Sequence, residues 1–229
     1  HGGDYRVLVS DSIATEISDT ARVTIMVDPT IIQHPQSQIV AVGETVNVDV
    51  AVTPEATLPV FYRLRRNGVV FSDSLTDQRA MSYTYTNIGL SNSASYYYTI
   101  TNLARFSSFL SYTAFVAVVQ PPTNLTVAAG ADAVFTVVVG NPSSLSRPAR
   151  IEYQWQFNGL DLTNEAIITK TTNAGVLLTT NTLRLPAVQL DQAGAYGMQI
   201  TILTNIPIAP ATFTATLNVS GGNRPDRDG

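Results

Sequence analysis

The chain places its apolar residues in short runs, most of them alternating with polar ones. VGETVNVDVAV (42–52) and AGADAVFTVVV (129–139) put an apolar side chain at every second position. That period of two marks a strand with one face buried. FYRLRR (61–66), EYQWQF (152–157), YTAFVAVV (112–119) and FTATLNV (213–219) read the same way. Nothing longer than a turn carries a 3.6-residue period, so the expected class is all-β.

The pattern repeats at long range. Tyr5, Tyr96 and Tyr196 each start an alternating run: Val7 and Val9, Tyr98 and Ile100, Met198 and Ile200. Pro35 precedes Gly43 by eight residues, and Pro122 precedes Gly130 by eight. Asn67-Gly68 and Asn158-Gly159 each follow a strand-like run, and Asn-Gly suits a two-residue hairpin because both residues tolerate positive φ. YTYTNIGL (83–90) aligns with LRLPAVQL (183–190). A repeat of this length, with about seven short strands per unit, predicts tandem β-sandwiches.

The expected division is residues 1–28 as the closing hairpin of a partial domain, 29–119 and 120–220 as two complete sandwiches, and 221–229 as a flexible tail or linker. The second repeat is the longer, and NPSSLSRPAR (141–150) and TNEAIITKTTNAG (163–175) are the places where loops would absorb the difference. In the first 27 residues only the last two strands of a sandwich are legible, with Val7, Val9, Val23, Ile25 and Val27 facing inward. The chain opens HGGDYR without an initiator Met or a signal peptide, as expected of a fragment or processed product.

With these landmarks in place, the chain resembles the immunoglobulin superfamily in its cysteine-free form, common in bacterial and phage proteins. The resemblance covers nearly the whole sequence. Trp155, three residues before Asn158, fits the family's tryptophan on strand C; Leu64 takes that slot in the first repeat. The family turn Asp-x-Gly/Ala-x-Tyr is matched with Asn92 and Gln192 in place of Asp. Tyr96 and Tyr196 then correspond to the corner tyrosines of strand F.

The resemblance also assigns the slots of the usual inter-sheet disulfide: Val50 and Val137 on strand B, Tyr98 and Met198 on strand F. Losing such a disulfide typically costs about 2–5 kcal/mol. Burying apolar side chains instead contributes roughly 1.5–3 kcal/mol each. These residues are therefore expected as core.

Composition narrows the setting. Charged residues are 13% of the chain, against about 25% in typical soluble domains. Ser, Thr, Asn and Gln must cover the surface, which fits an extracellular β-protein. Cysteine is absent, which excludes disulfides and zinc–thiolate sites. The net charge of −4 and the scattered arginines speak against nucleic acid; Arg63, Arg65 and Arg66 read as one solvated strand face. No apolar run approaches the roughly 20 residues of a membrane span, so no membrane insertion is expected.

Catalytic chemistry finds little to work with. The two histidines, His1 and His34, stand at the terminus and before Pro35. Asp73 and Asp77 could pair as carboxylates or hold Ca²⁺ weakly, although a solvated loop explains them more simply. No catalytic residue, cofactor or metal ligand is assigned. The sequons at Asn124 and Asn218 matter only in a source that glycosylates them.

The informative segments follow the second-to-last strand of each sandwich. TNLARFSSFLS (101–111) would present Phe106, Phe109 and Leu110 at a loop tip, and TNIPIAPA (204–211) would present Ile206, Pro207 and Ile208. Apolar tips indicate a partner surface or packing against a neighbouring domain. The expected function is a non-enzymatic structural or interaction module of an extracellular assembly, on a virion or a cell surface, with protein partners or neighbouring subunits. The alternatives are an accessory array on a secreted polysaccharide-active enzyme and a carbohydrate-binding module, for which Tyr83, Tyr85, Tyr96, Tyr97 and Tyr98 are the aromatic candidates.

Overall fold

The computed structural model describes residues 1–142, 150–163, 167–173, 176–204 and 208–221, without the side chains of Phe106, 167–173 and 176. The expected tail lies outside them except for Gly221. Twenty-one strands make up the described elements, apart from two single 3-10 turns at Leu90–Asn92 and Leu190–Gln192.

The first sandwich contains β5 (Ile31–Gln33), β6 (Gln38–Ala41), β7 (Val46–Val52), β8 (Val60–Arg66), β9 (Val69–Thr76), β10 (Ala80–Tyr85), β11 (Ala94–Asn102), β12 (Arg105–Leu110) and β13 (Ala114–Gln120). One sheet has the order β10-β7-β5. In the other, β9, β8, β11 and β13 are neighbours, and β6 runs parallel along β13. Val46, Val48, Val50 and Val52 point inward from β7, as their alternation dictates, to meet Leu64, Tyr98, Ile100, Val116 and Val118 in one core.

The second sandwich repeats the plan. It contains β14 (Leu125–Ala128), β15 (Ala133–Asn141), β16 (Arg150–Phe157), β17 (Leu160–Asp161), β18 (Ile167–Asn173), β19 (Val176–Leu185), β20 (Gly194–Leu203) and β21 (Ala211–Ser220). One sheet is β18-β19-β15 and the other β14-β21-β20-β16-β17. The segment 163–175, expected as a loop, includes β18. Its Ile-Ile-Thr start is β-favouring, and the added residues build an extra hairpin rung on β19. Residues 143–149 of the other expected loop are not described.

The sandwiches share a strand. β13 pairs with β11 through Ala114–Val116, and its last two residues then pair with β15, Val119 with Val139 and Gln120 with Val138. A nine-stranded sheet results that runs through both sandwiches. In the first sandwich the position against the end of β7 is held by a separate strand, with Gln33 opposite Ala51. The expected boundary between residues 119 and 120 therefore falls inside a strand.

Both faces of β13 are buried. Val116 and Val118 belong to the first core, whereas Phe115, Ala117 and Val119 belong to the second. An unbroken apolar run is what a strand buried on two faces requires. The corresponding outward positions of β21 are Thr214, Thr216 and Asn218, all exposed.

The N-terminal segment forms β1 (Gly3–Tyr5), β2 (Leu8–Ser10), β3 (Thr15–Ile17) and β4 (Ala21–Val23). β1 pairs with β4 and β2 with β3, so residues 3–23 are one bent hairpin. Beyond it, the Val27 carbonyl accepts from the Thr57 N–H and from Asn102 Nδ2, which ties residue 27 to the first sandwich.

Candidate functional site

The turns before β11 and β20 are built alike. Asn92 Oδ1 accepts the Gly89 N–H at 2.9 Å, and Gln192 Oε1 accepts the Gln189 N–H at 2.8 Å. An amide oxygen thus closes each turn. The Tyr96 hydroxyl donates to the Asn92 carbonyl at 2.8 Å, and the Tyr196 hydroxyl to the Gln192 carbonyl at 2.9 Å. Both rings are buried.

The two Asn-Gly hairpins lock onto the same corners. Asn67 and Gly68 have φ of 50° and 85°, and Asn158 and Gly159 have 48° and 82°. Asn67 Oδ1 accepts the Ser95 N–H and Asn158 Oδ1 the Ala195 N–H, each at 2.9 Å. Trp155 stands opposite Met198 in register, and Leu64 opposite Tyr98. Val50 and Tyr98 lie in the first core, Val137 and Met198 in the second. The Tyr98 hydroxyl donates to the Val48 carbonyl at 2.9 Å, so a polar tip is satisfied inside the sandwich.

The segment 101–111 is not a loose tip. β12 folds back on β11, with Thr99 opposite Leu110 and Asn102 opposite Arg105. Phe106, Phe109 and Leu110 therefore sit along a hairpin arm, and the turn is Leu103-Ala104. Period-two geometry continues through 105–110, which extends the ladder instead of ending it. Leu103 and Leu110 are exposed. Phe109 is half-buried beneath the Arg105 guanidinium, 4.7 Å from its ring centre. Arg105 also reaches Asp28 at 3.4 Å. The side chain of Phe106 is outside the described residues.

In the second sandwich Ile206 and Pro207 also lie outside the described residues. Ile208 is half-buried and packs against the second core, so it is turned toward the fold.

The aromatic candidates divide as alternation requires. Tyr96 and Tyr98 are core residues, while Tyr83 and Tyr85 are half-buried beneath Phe71, whose ring centre lies 5.2 Å from that of Tyr83 and 6.0 Å from that of Tyr85. The Tyr85 and Tyr96 hydroxyls are hydrogen-bonded at 3.1 Å. Burial pushes the phenol of Tyr62 up to about 12 and raises those of Tyr85, Tyr96 and Tyr98, so these groups stay neutral.

Arg63, Arg65, Arg66 and Asp73 are engaged within the fold. Asp73 accepts from Arg63 Nε at 2.9 Å, on adjacent strands. Arg65 donates to the Gly68 carbonyl and Arg66 to that of Ser91. Asn124 Oδ1 is occupied by the Thr216 N–H. Among the described residues no group of three or more His, Cys, Asp or Glu is placed to hold a metal. Nor is any helix there long and apolar enough to cross a membrane.

Strand order decides the fold family. β5, β7 and β10 form the A–B–E sheet; β6, β13, β11, β8 and β9 form the A′–G–F–C–C′ sheet, with A′ parallel to G. The second sandwich has the same order, with β18 as strand D and β14 as A′. The fold is immunoglobulin-like. Comparison with solved structures returns multi-domain fragments at low TM-score. Titin domains Z1 and Z2, solved in complex with telethonin, match at 21% identity over 86% of this chain and 99% of theirs, with a TM-score of 0.35. The first two domains of Rst match at 14% identity over 84% and 100%, with a TM-score of 0.40. Extracellular domains 3–5 of Drosophila OTK match at 14% identity over 85% and 66%, with a TM-score of 0.36. No family model and no curated protein matches the sequence. Sequence reasoning missed the two-faced immunoglobulin strand G, although the unbroken apolar run AFVAVV carried the signal.

Proposed function

We propose that the chain is a non-enzymatic structural and interaction module of an extracellular assembly, a phage particle or a bacterial surface, that spaces its neighbours and binds a protein partner. The observation that carries this reading is β13, buried on both faces between two cores. A shared strand resists bending and twisting between the sandwiches, as a spacer requires. Apolar side chains then stand on the arm at the other end of the first sandwich: Leu103, Leu110 and Tyr112 are exposed around one hairpin. Aromatic and aliphatic anchors of this kind form the centres of protein interfaces. The glycan alternative loses Tyr96 and Tyr98, which are buried.

A photo-crosslinking residue at Leu110, introduced into the native assembly, tests this. The proposal expects a covalent adduct with a protein subunit, and loss of that adduct when Leu103→Asp and Tyr112→Ser are added to the crosslinking chain and it still folds. An adduct with polysaccharide instead, or unchanged assembly by the double variant, would count against it.

A further inference from the structure

The N-terminal hairpin copies the hairpin that closes the first sandwich, bond for bond. Tyr5 stands opposite Ala21 and Gly3 opposite Val23; Tyr96 stands opposite Ala114 and Ala94 opposite Val116. Leu8 opposite Ile17 matches Thr99 opposite Leu110, one residue out of step in both hairpins. The step is made by a serine. The Val7 N–H donates to Ser18 Oγ at 2.9 Å, and the Tyr98 N–H to Ser111 Oγ at 2.9 Å. The Ser18 N–H donates to the Val7 carbonyl and the Ser111 N–H to the Tyr98 carbonyl, both at 2.9 Å. Each serine hydroxyl then donates to the next residue's carbonyl, Asp19 or Tyr112, at 2.9 Å. Even the corner is present, since the Tyr5 hydroxyl donates to the His1 carbonyl four residues back.

The difference lies in what covers the inner face. Tyr98, Ile100, Val116 and Val118 are at most 2% exposed, closed over by β7, β8 and β10. Their counterparts Val7, Val9, Val23 and Ile25 are 62%, 65%, 47% and 58% exposed. A two-stranded hairpin does not hold such a face in water unaided. A second copy of this chain has nothing to lend, because the A–E strands of both sandwiches are already closed by β11 with β13 and by β20 with β21.

We propose that residues 1–27 are the F and G strands of a third immunoglobulin-like sandwich, and that the face formed by Tyr5, Val7, Val9, Val23 and Ile25 docks onto an A–E strand set carried N-terminal to His1 on the same polypeptide. That set presents a valine-rich inner face like that of β7, and an E–F turn that leads into His1 as Asn92 leads into β11. The proposal is independent of what the module binds.

Hydrogen exchange tests it on two chains: this one, and one extended upstream by about 70 residues, a sandwich of roughly 100 less the hairpin. The expected result is exchange within tenfold of the unfolded rate at 5–9 and 21–25 in the first chain. In the extended chain, protection should rise at least 100-fold, while β11 and β13 stay protected in both. Protection in this chain as a monomer, protection that grows with its own concentration, or no gain on extension would each overturn the proposal. A Val7→Asp, Ile25→Asp variant of the unextended chain should melt as the parent does, and a lowered midpoint would also overturn it.

Discussion

Gly140, near the end of β15, lies directly against Ser93 in the E–F turn of the first sandwich. A β-carbon at residue 140 would stand 2.7 Å from Ser93 Cβ and 2.8 Å from the Leu90 carbonyl oxygen. Ser93 cannot give way freely, since its hydroxyl accepts the Val118 N–H at 3.0 Å. Close approach of two backbones is what a glycine permits here.

Gly140→Val should therefore wedge the junction. Overpacking of this kind costs about 1–3 kcal/mol. Small-angle scattering should show a wider range of angles between the sandwiches. An unchanged profile and midpoint would mean that the contact is slack.

Removing a corner hydroxyl should cost about 0.5–1.5 kcal/mol. Tyr196→Phe loses one bond, to the Gln192 carbonyl. Tyr96→Phe disturbs two, to Asn92 and Tyr85, and should cost more. Denaturant titration of both variants checks the order, and equal or negligible losses would contradict it.

These corners were legible because they are local. Asn92 and Gln192 stand four residues before their tyrosines, and Asn-Gly sets its own turn through positive φ. The strand-F slots of Tyr98 and Met198 could be counted from those landmarks. Three features were not legible. β13 looks like an ordinary closing strand unless AFVAVV is read as apolar on both faces. The arm 105–110 has a turn, Leu103-Ala104, without Gly or Pro to announce it. β18 lies in a Thr-rich stretch without apolar alternation, although it pairs with β19 as the adjoining arm of a hairpin, Asn173 opposite Val176.

Asn181 is buried in the second sandwich, and among the described residues neither side-chain polar atom has a hydrogen-bond partner. It stands opposite Val137, where Met81 stands opposite Val50 in the first sandwich. An unsatisfied buried amide costs about 1–3 kcal/mol. Asn181→Leu, with the same branching, should raise the second sandwich's denaturation midpoint. A lower midpoint would reveal an internal partner for the carboxamide, such as bound water.

His34 stacks on Tyr112 with ring centres 3.8 Å apart, and its Nδ1 accepts the Tyr112 N–H at 3.1 Å. Burial holds its pKa below the usual value of 6.5. A lowered histidine pKa means that the folded state binds fewer protons than the unfolded one. Its stabilisation is complete above about pH 6.5 and declines as pH falls through the lowered folded value. Exchange of the Tyr112 amide should accelerate, relative to neighbouring amides, over that window. His34→Gln should abolish the pH dependence; its persistence would place the titration elsewhere.

The account turns on β13 making one body of two sandwiches. Trp155 is the chain's one tryptophan and lies in the second core. Ile100 is fully buried in the first. Ile100→Ala should cost about 2–5 kcal/mol, and thermal unfolding followed by Trp155 fluorescence measures how much of that loss crosses the junction. A shared strand predicts one transition, coincident with the loss of β-sheet signal, whose midpoint falls in the variant. A Trp155 transition that keeps its parental midpoint while the first sandwich melts earlier would contradict it.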